Sequence, residues 1–290
     1  MLMKEISILI PTYNHVCFSL VSVLQKQAAL LAINYEIIVA DDGSTDAATI
    51  SGNRAINSLP FSRYVERLEN TGRAAIRNFL AKEAQHEWLL FIDSDMVVAD
   101  NDFLRHYAEC SGYDVVDGGV TIGGDPHLLQ DNLRYRYEKA AEQQHTMEQR
   151  RQHPYRDFHT ANFLVRRSIM LRHPFDLRFR HYGYEDVLFG KTLEKHNIPI
   201  LHIDNPLSFE VFEGNTHFLD KTEEGLRTLH EFRNELHGYS RLLDLSESLS
   251  YLPLHLLWRM TGTILRSYLI QHPNQKLFTL YRLLYFCSIK

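Results

Sequence analysis

Two aspartates stand one residue apart at the end of an apolar segment, in the stretch FIDSD at positions 91–95. The residues before them, WLLFI at 88–92, are typical of a buried strand. Carboxylates beside a buried strand are costly unless they are paired or bind a metal. Two interpretations are therefore open: Asp93 and Asp95 cap the turn after the strand, or they hold a divalent cation.

A second acidic pair, Glu185-Asp186, stands at the start of a predicted amphipathic helix that ends near residues 196–197. Acidic residues in a first helical turn are stabilised by the helix dipole. Taken alone, this pair is explained by capping.

Strand-like runs alternate with helical segments through the first half of the chain. The predicted strands are 6–10, 36–40, 63–68, 88–92 and 114–120, and the predicted helices are 17–31, 73–84 and 102–110. This alternation predicts βαβ units and therefore an α/β fold with a mostly parallel central sheet flanked by helices.

Polar or acidic residues follow four of these strands. They are Pro11, Thr12, Tyr13 and Asn14; then Asp41 and Asp42; then Asn70, Gly72 and Arg73; then Asp93, Ser94 and Asp95. Ligands of open parallel sheets bind beyond the carboxyl ends of the strands. One such end would only indicate a turn, since turns favour Asp, Asn and Gly. Four together predict one binding site.

Composition limits the classes of protein to consider. The 44% hydrophobic and 23% charged residues fit an ordinary globular protein, and the net charge of -5 gives no case for nucleic-acid binding. Cys17, Cys110 and Cys287 lie far apart without a C-x-x-C spacing, which argues against a disulfide framework or a zinc site and favours a reducing, cytoplasmic compartment. No apolar run reaches the ~18 residues of a membrane-spanning helix.

The second half of the chain is less regular. Residues 133–151 are predicted to form a polar helical stretch with a solvated or lid-like face, and 158–168 a strand containing Asn162. Residues 251–290 contain five Lys or Arg and no acidic residue, whereas the first 250 carry 26 basic and 36 acidic side chains. Three roles are open for this tail: helices packed on the preceding domain, a peripheral contact with an anionic membrane, or a surface for homo-oligomerisation.

Taken together, the motifs resemble family 2 glycosyltransferases with the GT-A fold. The matching pieces, in the family's order and spacing over roughly residues 4–200, are IPTYN (10–14), VADDGSTD (39–46), NTGRAAIRN (70–78), FIDSD (91–95), TANFLVRRS (160–168) and GYEDVLFG (183–190). The resemblance implies a GT-A domain over residues 1–220 and a helical C-terminal extension over 221–290. It also implies an inverting, metal-dependent hexosyltransferase-like enzyme of surface polysaccharide or glycan synthesis. Such an enzyme moves a sugar from a nucleotide-diphosphate sugar, with a UDP-sugar favoured, to a hydroxyl of a saccharide or lipid-linked saccharide.

The resemblance further implies a divalent metal, Mn²⁺ or Mg²⁺, which would neutralise the diphosphate leaving group. Asp95 would bind this metal, and Asp93 would support the metal or contact the ribose. A histidine downstream of the Glu185-Asp186 helix often completes the site in the family. Here His217 is favoured over His202, because a histidine in an apolar strand is more often part of a core.

Roles for the other motif residues follow from the same resemblance. Asp186 would be the base that takes a proton from the acceptor hydroxyl, and Glu185 would bind acceptor or donor hydroxyls. The residues expected to bind the nucleotide sugar or line its pocket are Pro11, Thr12, Tyr13, Asn14, Asp41, Asp42, Asn70, Gly72, Arg73, Arg77, Asp93, Ser94, Asn162 and Gly183. Among these, Thr12, Tyr13 and Asp41 would contact the base, while Arg73 and Arg77, on one helical face, would reach the base or phosphates.

Two alternatives compete with a transferase. A sugar-phosphate nucleotidyltransferase would need a Gly-rich, basic loop after the first strand, and the PTYN segment at 11–14 is not such a loop. The acidic pairs at 93–95 and 185–186 argue against a non-catalytic sugar-nucleotide-binding module.

Overall fold

A sheet of seven strands lies at the centre of the part of the chain, residues 3–110 and 112–289, that the computed structural model describes. The strands in chain order are β1 (Glu5–Thr12), β2 (Asn34–Asp41), β3 (Ser62–Glu66), β4 (Trp88–Ile92), β5 (Met96–Val97), β6 (Val115–Asp117), β7 (Val120–Ile122), β8 (Asn162–Arg166), β9 (Ile200–His202) and β10 (Leu207–Phe209). The main sheet has the order β3-β2-β1-β4-β8-β6-β9, and β5-β10-β7 form a smaller sheet beside it. β1 to β4 are parallel, while β8 runs antiparallel to both of its neighbours. The predicted α/β fold with a mostly parallel sheet is confirmed.

Helices cover both faces of the main sheet and form the C-terminal part of the chain. They are α1 (Phe18–Leu30), α2 (Ala47–Arg54), α3 (Arg73–Glu83), α4 (Phe103–Ala108), α5 (Leu133–Ala141), α6 (Met147–Gln152), α7 (Arg167–Arg172), α8 (Glu185–Lys195), α9 (Asn215–Glu231), α10 (Arg233–Leu236), α11 (Arg241–Ser248), α12 (Leu254–Gln271) and α13 (Gln275–Ser288). Short 3-10 turns stand at Ala55–Ser58 and Glu142–Gln144.

The central strands are largely apolar because both of their faces are buried. In β1, Ile8 and Ile10 pack with α1 and α4 on one face of the sheet. Leu9 points to the opposite face and packs with α3, α7 and α8. This three-layer arrangement leaves only the strand ends free, so the loops after β1, β2 and β4 meet at one edge of the sheet.

Three predicted elements differ from the structure. The predicted strand 158–168 is shorter, because β8 spans Asn162–Arg166 and α7 begins at Arg167. The run 114–120 is divided into β6 and β7 at Gly118-Gly119, where Gly119 has a left-handed φ of +83° that favours glycine. The stretch 133–151 is not one solvated helix, because its middle forms a 3-10 turn and Arg150 is buried. Arg150 lies 3.1 Å from Asp117, and this buried ion pair holds α6 against β6.

The C-terminal helices pack onto the rest of the chain. Apolar side chains of α5, α9, α12 and α13 form one cluster, made by Leu133, Phe218, Leu219, Leu269, Phe278 and Tyr281. The domain boundary predicted at 220/221 lies inside α9, and the division into a domain and an extension stays a prediction. Lys290 lies outside the described residues.

Candidate active site

A cleft of about 670 Å³ lies at the carboxyl edge of the parallel strands. It brings together most of the predicted site residues, namely Pro11, Thr12, Tyr13, Asn14, Asp42, Asn70, Gly72, Arg73, Arg77, Asp93, Ser94, Asp95 and His217. These residues come from four strand ends and from the first turn of α9. The predicted convergence of the strand ends therefore occurs in the structure.

The loop after β1 is fastened to the turn after β2. The backbone N–H of Asn14 donates to the Ser44 hydroxyl at 2.7 Å, and the Asn14 side-chain oxygen accepts from the Thr45 N–H at 2.9 Å. Gly43, with φ of +75°, lets this turn approach the backbone of the next loop, since a Cβ there would lie 2.6 Å from the Glu69 carbonyl carbon. The result is a rigid rim from which the half-exposed Tyr13 ring faces the cleft.

The two aspartates of this turn are used inside the protein. Asp41 is buried, accepts from the Ser44 N–H at 2.7 Å and from the Tyr64 hydroxyl, and does not line the cleft. Asp42 accepts from the Gly72 N–H at 2.8 Å and pairs with Arg67 at 2.8 Å. Both carboxylates thus order the loops around the cleft, and the predicted contact of Asp41 with a base stays a prediction.

A buried charge network joins the two acidic motifs. Arg77, which is 1% exposed, lies 2.7 Å from Asp93 through one guanidinium nitrogen and 3.2 Å from Glu185 through another. Arg73, one turn earlier on α3, is half-exposed and lies 3.5 Å from Asp93. Arg77 therefore links the end of β4 to the start of α8, while Arg73 is the arginine that remains available to a ligand.

Asp95 differs from the other carboxylates that line the cleft in the partners of its side chain. Among residues 3–110 and 112–289, no hydrogen bond or ion pair is made to its side chain, whereas Asp93 is bound by Arg77. Burial and the neighbouring charge of Asp93 raise the pKa of Asp95. A free carboxylate placed near a second one, in a polar cleft, has the hard oxygen donors that Mg²⁺ and Mn²⁺ prefer.

His217, the predicted third metal ligand, lies in the cleft but does not complete a metal site with the two aspartates within the described residues. His217 is exposed in the first turn of α9 and lines the cleft together with Asp93 and Asp95. Within the described ranges, no three His, Cys, Asp or Glu side chains are close enough to hold a metal by themselves. A cation here would therefore need oxygens from a bound phosphate or water as well as Asp95.

The alternative histidine, His202, lies elsewhere. It is buried, and its Nδ1 lies 3.0 Å from Asp117 and 3.1 Å from the Arg150 guanidinium. Burial opposes the charge on Asp117, but the hydrogen bond from His202 and the charge of Arg150 lower the pKa of this carboxyl. His202 belongs to a core ion network and is not part of the cleft lining.

Asn162 is also placed away from the cleft. Its side-chain oxygen accepts from the Tyr107 hydroxyl at 2.7 Å, and its amide donates to the carbonyls of Gly119 at 2.8 Å and Asn205 at 2.9 Å. All of its hydrogen-bonding groups are thereby engaged inside the protein. Asn162 fixes the segments around β6 and β8, and the predicted role in lining the pocket has no support from this position.

The second acidic pair begins α8 behind the arginines. Tyr184, the residue before it, has an unusual left-handed φ of +68°, which turns the chain sharply into the helix. Glu185 is buried against Arg77, while Asp186 is partly buried and accepts from the Val187 N–H at 2.8 Å. Burial raises the pKa of both carboxyls, and the charge of Asp186 adds to the effect on Glu185. Gly183, Glu185 and Asp186 do not line the cleft, although Glu185 contacts Arg77 and Gly183 follows Tyr182, both of which do.

The opposite wall of the cleft was not predicted from the sequence. It is formed by Arg134 of α5, by the segment before α8 and by the residues around the start of α9, including Arg180, His181, Tyr182, Val211, Phe212, Glu213, Lys221 and Glu224. Arg134 pairs with Glu213 and lies 4.3 Å above the Phe209 ring. These residues are scattered along the chain without a motif, and around the start of α9 only His217 was predicted from the sequence.

Replacing Arg77 by glutamine should lower the free energy of unfolding by about 3–5 kcal/mol, because two largely buried carboxylates lose their shared partner. Denaturant unfolding of Arg77→Gln measures this change. Arg73→Gln is the matched control, since Arg73 lies on the same face of α3 but is half-exposed, and it should cost far less. Equal stability of Arg77→Gln and the parent would contradict the linking role of Arg77.

A mostly parallel α/β sheet with a cleft at the carboxyl ends of its strands is typical of proteins that bind a ligand at that edge. The sequence profile of the family described as Glycosyl transferase family 2 matches residues 7–173, more than half of the chain. The chain belongs to that family, and the predicted family and fold are confirmed.

Curated relatives cover parts of the chain. An uncharacterized glycosyltransferase of Haemophilus influenzae is 34% identical over 102 residues, which are 34% of this chain and 39% of that protein. A dolichyl-phosphate beta-glucosyltransferase of Drosophila melanogaster is 30% identical over 146 residues, covering 46% of this chain and 44% of the relative. The chain thus spans about two fifths of the length of these relatives.

Solved structures share the fold over nearly the whole chain. The mannosyltransferase PcManGT from Pyrobaculum calidifontis, in complex with GDP-Man and Mn²⁺, has a TM-score of 0.52 at 15% identity, covering 98% of this chain and 85% of its own. Residues 1–349 of S. aureus TarS, in complex with UDP, have a TM-score of 0.53 at 18% identity, covering 97% of this chain and 90% of that one.

Proposed function

We propose that the chain transfers a sugar from a nucleotide-diphosphate sugar, with a UDP-sugar favoured, to a hydroxyl of a saccharide or lipid-linked saccharide, with inversion. The observation that carries this proposal is that one cleft contains the Tyr13 rim, the half-exposed Arg73 and Asp95, whose side chain has no hydrogen-bond or ion-pair partner within the described residues. Three similar proteins support this class of donor and acceptor. One is named dolichyl-phosphate beta-glucosyltransferase, and the structures of the other two are complexes with GDP-Man and with UDP. Surface polysaccharide or glycan synthesis is the process that such a reaction would serve.

The donor would lie along the motif side of the cleft. The half-exposed Tyr13 ring offers a flat surface for the base, and Arg73 offers a cation for the diphosphate. Asp95, with Asp93 and His217 nearby, would hold Mn²⁺ or Mg²⁺. When bound, such a cation stabilises the charge that develops on the diphosphate leaving group.

Asp186 would take the proton from the acceptor hydroxyl. Burial raises the pKa of Asp186, so its carboxylate is a stronger base than that of an ordinary aspartate. The carboxylate is ionised when the pH lies above this raised pKa. Its neighbour Glu185 forms an ion pair with Arg77, and Arg77 lines the cleft. The proposed base therefore stands one residue away from a side chain that contacts the cleft lining. Glu185 itself would orient hydroxyl groups or preserve this ion pair.

Incubation of the purified protein with UDP- and GDP-sugars, with and without Mn²⁺, tests the proposal. We expect one donor to raise the melting temperature and to release its nucleoside diphosphate slowly, even without acceptor, only when the metal is present. Donor binding without any release, with or without oligosaccharide acceptors, would favour a non-catalytic module. Release of pyrophosphate from a nucleoside triphosphate and a sugar phosphate would favour a nucleotidyltransferase.

A further inference from the structure

The outward face of α12 carries a continuous apolar stripe. Leu256, Met260, Ile264 and Tyr268 follow one another at four-residue intervals and are 48%, 77%, 70% and 48% exposed. Side chains spaced by four lie on one face of a helix, and a helix of this length extends about 27 Å. No element within residues 3–110 and 112–289 covers this face, although monomeric proteins seldom expose such a row of large apolar groups.

The opposite face of α12 holds the helix in place. Leu269 packs in the cluster with α9 and α13, and the Trp258 ring lies edge-on to Tyr281 at 5.2 Å. Arg266 lies 2.6 Å from both Asp220 and Glu223 of α9. The exposed stripe is therefore not needed to attach α12 to the protein.

Only some of the five basic side chains of residues 251–290 are exposed. Arg266 faces α9, and Arg282 donates to the Tyr137 hydroxyl at 2.6 Å, so neither is available to a membrane. Among the aromatic side chains of the tail, Tyr281 is buried and the partly buried Trp258 packs against Tyr281 and Tyr285. Arg259 and Lys276 stay exposed, and residues 251–290 contain no acidic side chain. The surface is thus apolar and weakly cationic on a chain whose other parts are acidic.

We propose that this face of α12 rests on an anionic lipid surface, with the helix lying in the plane of the interface. Apolar side chains on one face would enter the acyl boundary, while Arg259 and Lys276 would meet lipid phosphates. A second copy of the chain is a poorer occupant. A two-fold contact through α12 would bring Arg259 and Lys276 of both copies together, and residues 251–290 contain no carboxylate to pair with them.

The position of α12 connects this surface to the cleft. The Asn215 side chain, at the start of α9, donates to the Ile270 carbonyl of α12 at 3.0 Å, and α9 also supplies His217 and Lys221 to the cleft wall. The helix that carries the proposed membrane surface is therefore joined through α9 to one wall of the cleft. If the proposed function holds, this arrangement suits a lipid-linked acceptor, whereas the membrane contact itself does not depend on that function.

Co-sedimentation of the full chain with vesicles tests the proposal. We expect binding to vesicles of phosphatidylcholine with one quarter phosphatidylglycerol, and weaker binding to phosphatidylcholine alone. The M260E/I264E variant should bind the anionic vesicles at least tenfold more weakly. The matched control L30E/L128E changes two leucines that are 83% and 82% exposed outside α12, and it should bind like the parent. The variant R259Q/K276Q should lose the preference for anionic over neutral vesicles.

Stability, turnover and oligomeric state distinguish a membrane contact from a contact between two copies of the chain. Melting temperature and nucleoside diphosphate release should stay unchanged in M260E/I264E, and M260Q/I264Q replaces it if the acidic variant does not fold. The proposal is overturned if the parent fails to bind vesicles, or if the α12 variants bind as tightly as the control. It is also overturned if the parent is a dimer in light scattering that M260E/I264E converts to a monomer without any change in lipid binding. Failure of donor turnover in every variant would count against the proposed function alone.

Discussion

Replacing Asp95 by alanine is expected to lower metal-dependent release of nucleoside diphosphate by roughly 10³-fold. Loss of a cation that stabilises the leaving group raises the free energy of the transition state by several kcal/mol. Each increase of about 1.4 kcal/mol lowers the rate tenfold. The fold should survive, because within the described residues no hydrogen bond or ion pair depends on the Asp95 side chain. Release of nucleoside diphosphate as a function of Mn²⁺ concentration measures the effect.

The control for this prediction removes a carboxylate that lies outside the cleft. Asp204 is exposed and does not line the cleft, so Asp204→Ala should keep both turnover and metal dependence. Addition of a chelator should bring the parent to the level of Asp95→Ala without changing its melting temperature. Near-normal turnover of Asp95→Ala, with the metal still required, would mean that other groups hold the cation.

The central part of the fold could be predicted because its physical causes are local. β1, β2 and β4 are buried on both faces, so each is a nearly uninterrupted apolar run with a polar segment at its end. Parallel strands place those ends at one edge, and the cleft follows from this arrangement. Asp93, Asp95, Tyr13 and Arg73 reach the cleft for that reason.

The direction of individual side chains could not be predicted in the same way. Arg73 and Arg77 share one face of α3, yet one turn of helix separates a half-exposed arginine from one that is buried between two carboxylates. Asn162 belongs to a matching motif, but its hydrogen bonds are taken by Tyr107 and by carbonyls of distant segments. Such partners are determined by the packing of the whole chain. The spacing of residues in a motif carries no information about that packing.

The same reason explains the tail. Counting residues 251–290 gives five positive charges, but Arg266 and Arg282 are bound by groups that lie more than forty residues away in sequence. A count treats all five as exposed. The apolar stripe on α12 is therefore the stronger basis for a membrane contact than the charge that first suggested it.

Replacing Asp186 by asparagine is expected to reduce sugar transfer by roughly two to four orders of magnitude, while donor binding persists. Asparagine keeps the size of the side chain and its hydrogen bond from the Val187 N–H, but it removes the proton acceptor. Transfer to an acceptor and binding of the donor should be measured separately for the parent and for Asp186→Asn. Nearly unchanged transfer would place the base elsewhere, and Glu185 would be the next residue to replace.

The raised pKa of Asp186 supplies two further readouts of its role. Since the base must be ionised, transfer by the parent should rise with pH through this pKa, and Asp186→Asn should lose that part of the profile. The folded chain also binds the Asp186 proton more tightly than the unfolded chain does. The parent therefore loses stability as pH rises from the ordinary aspartate range to the raised pKa, because burial opposes the ionised form. A neutral asparagine escapes this loss, so the variant should melt no lower than the parent at neutral pH. A variant that is inactive and also much less stable would instead indicate that Asp186 serves mainly to hold the start of α8.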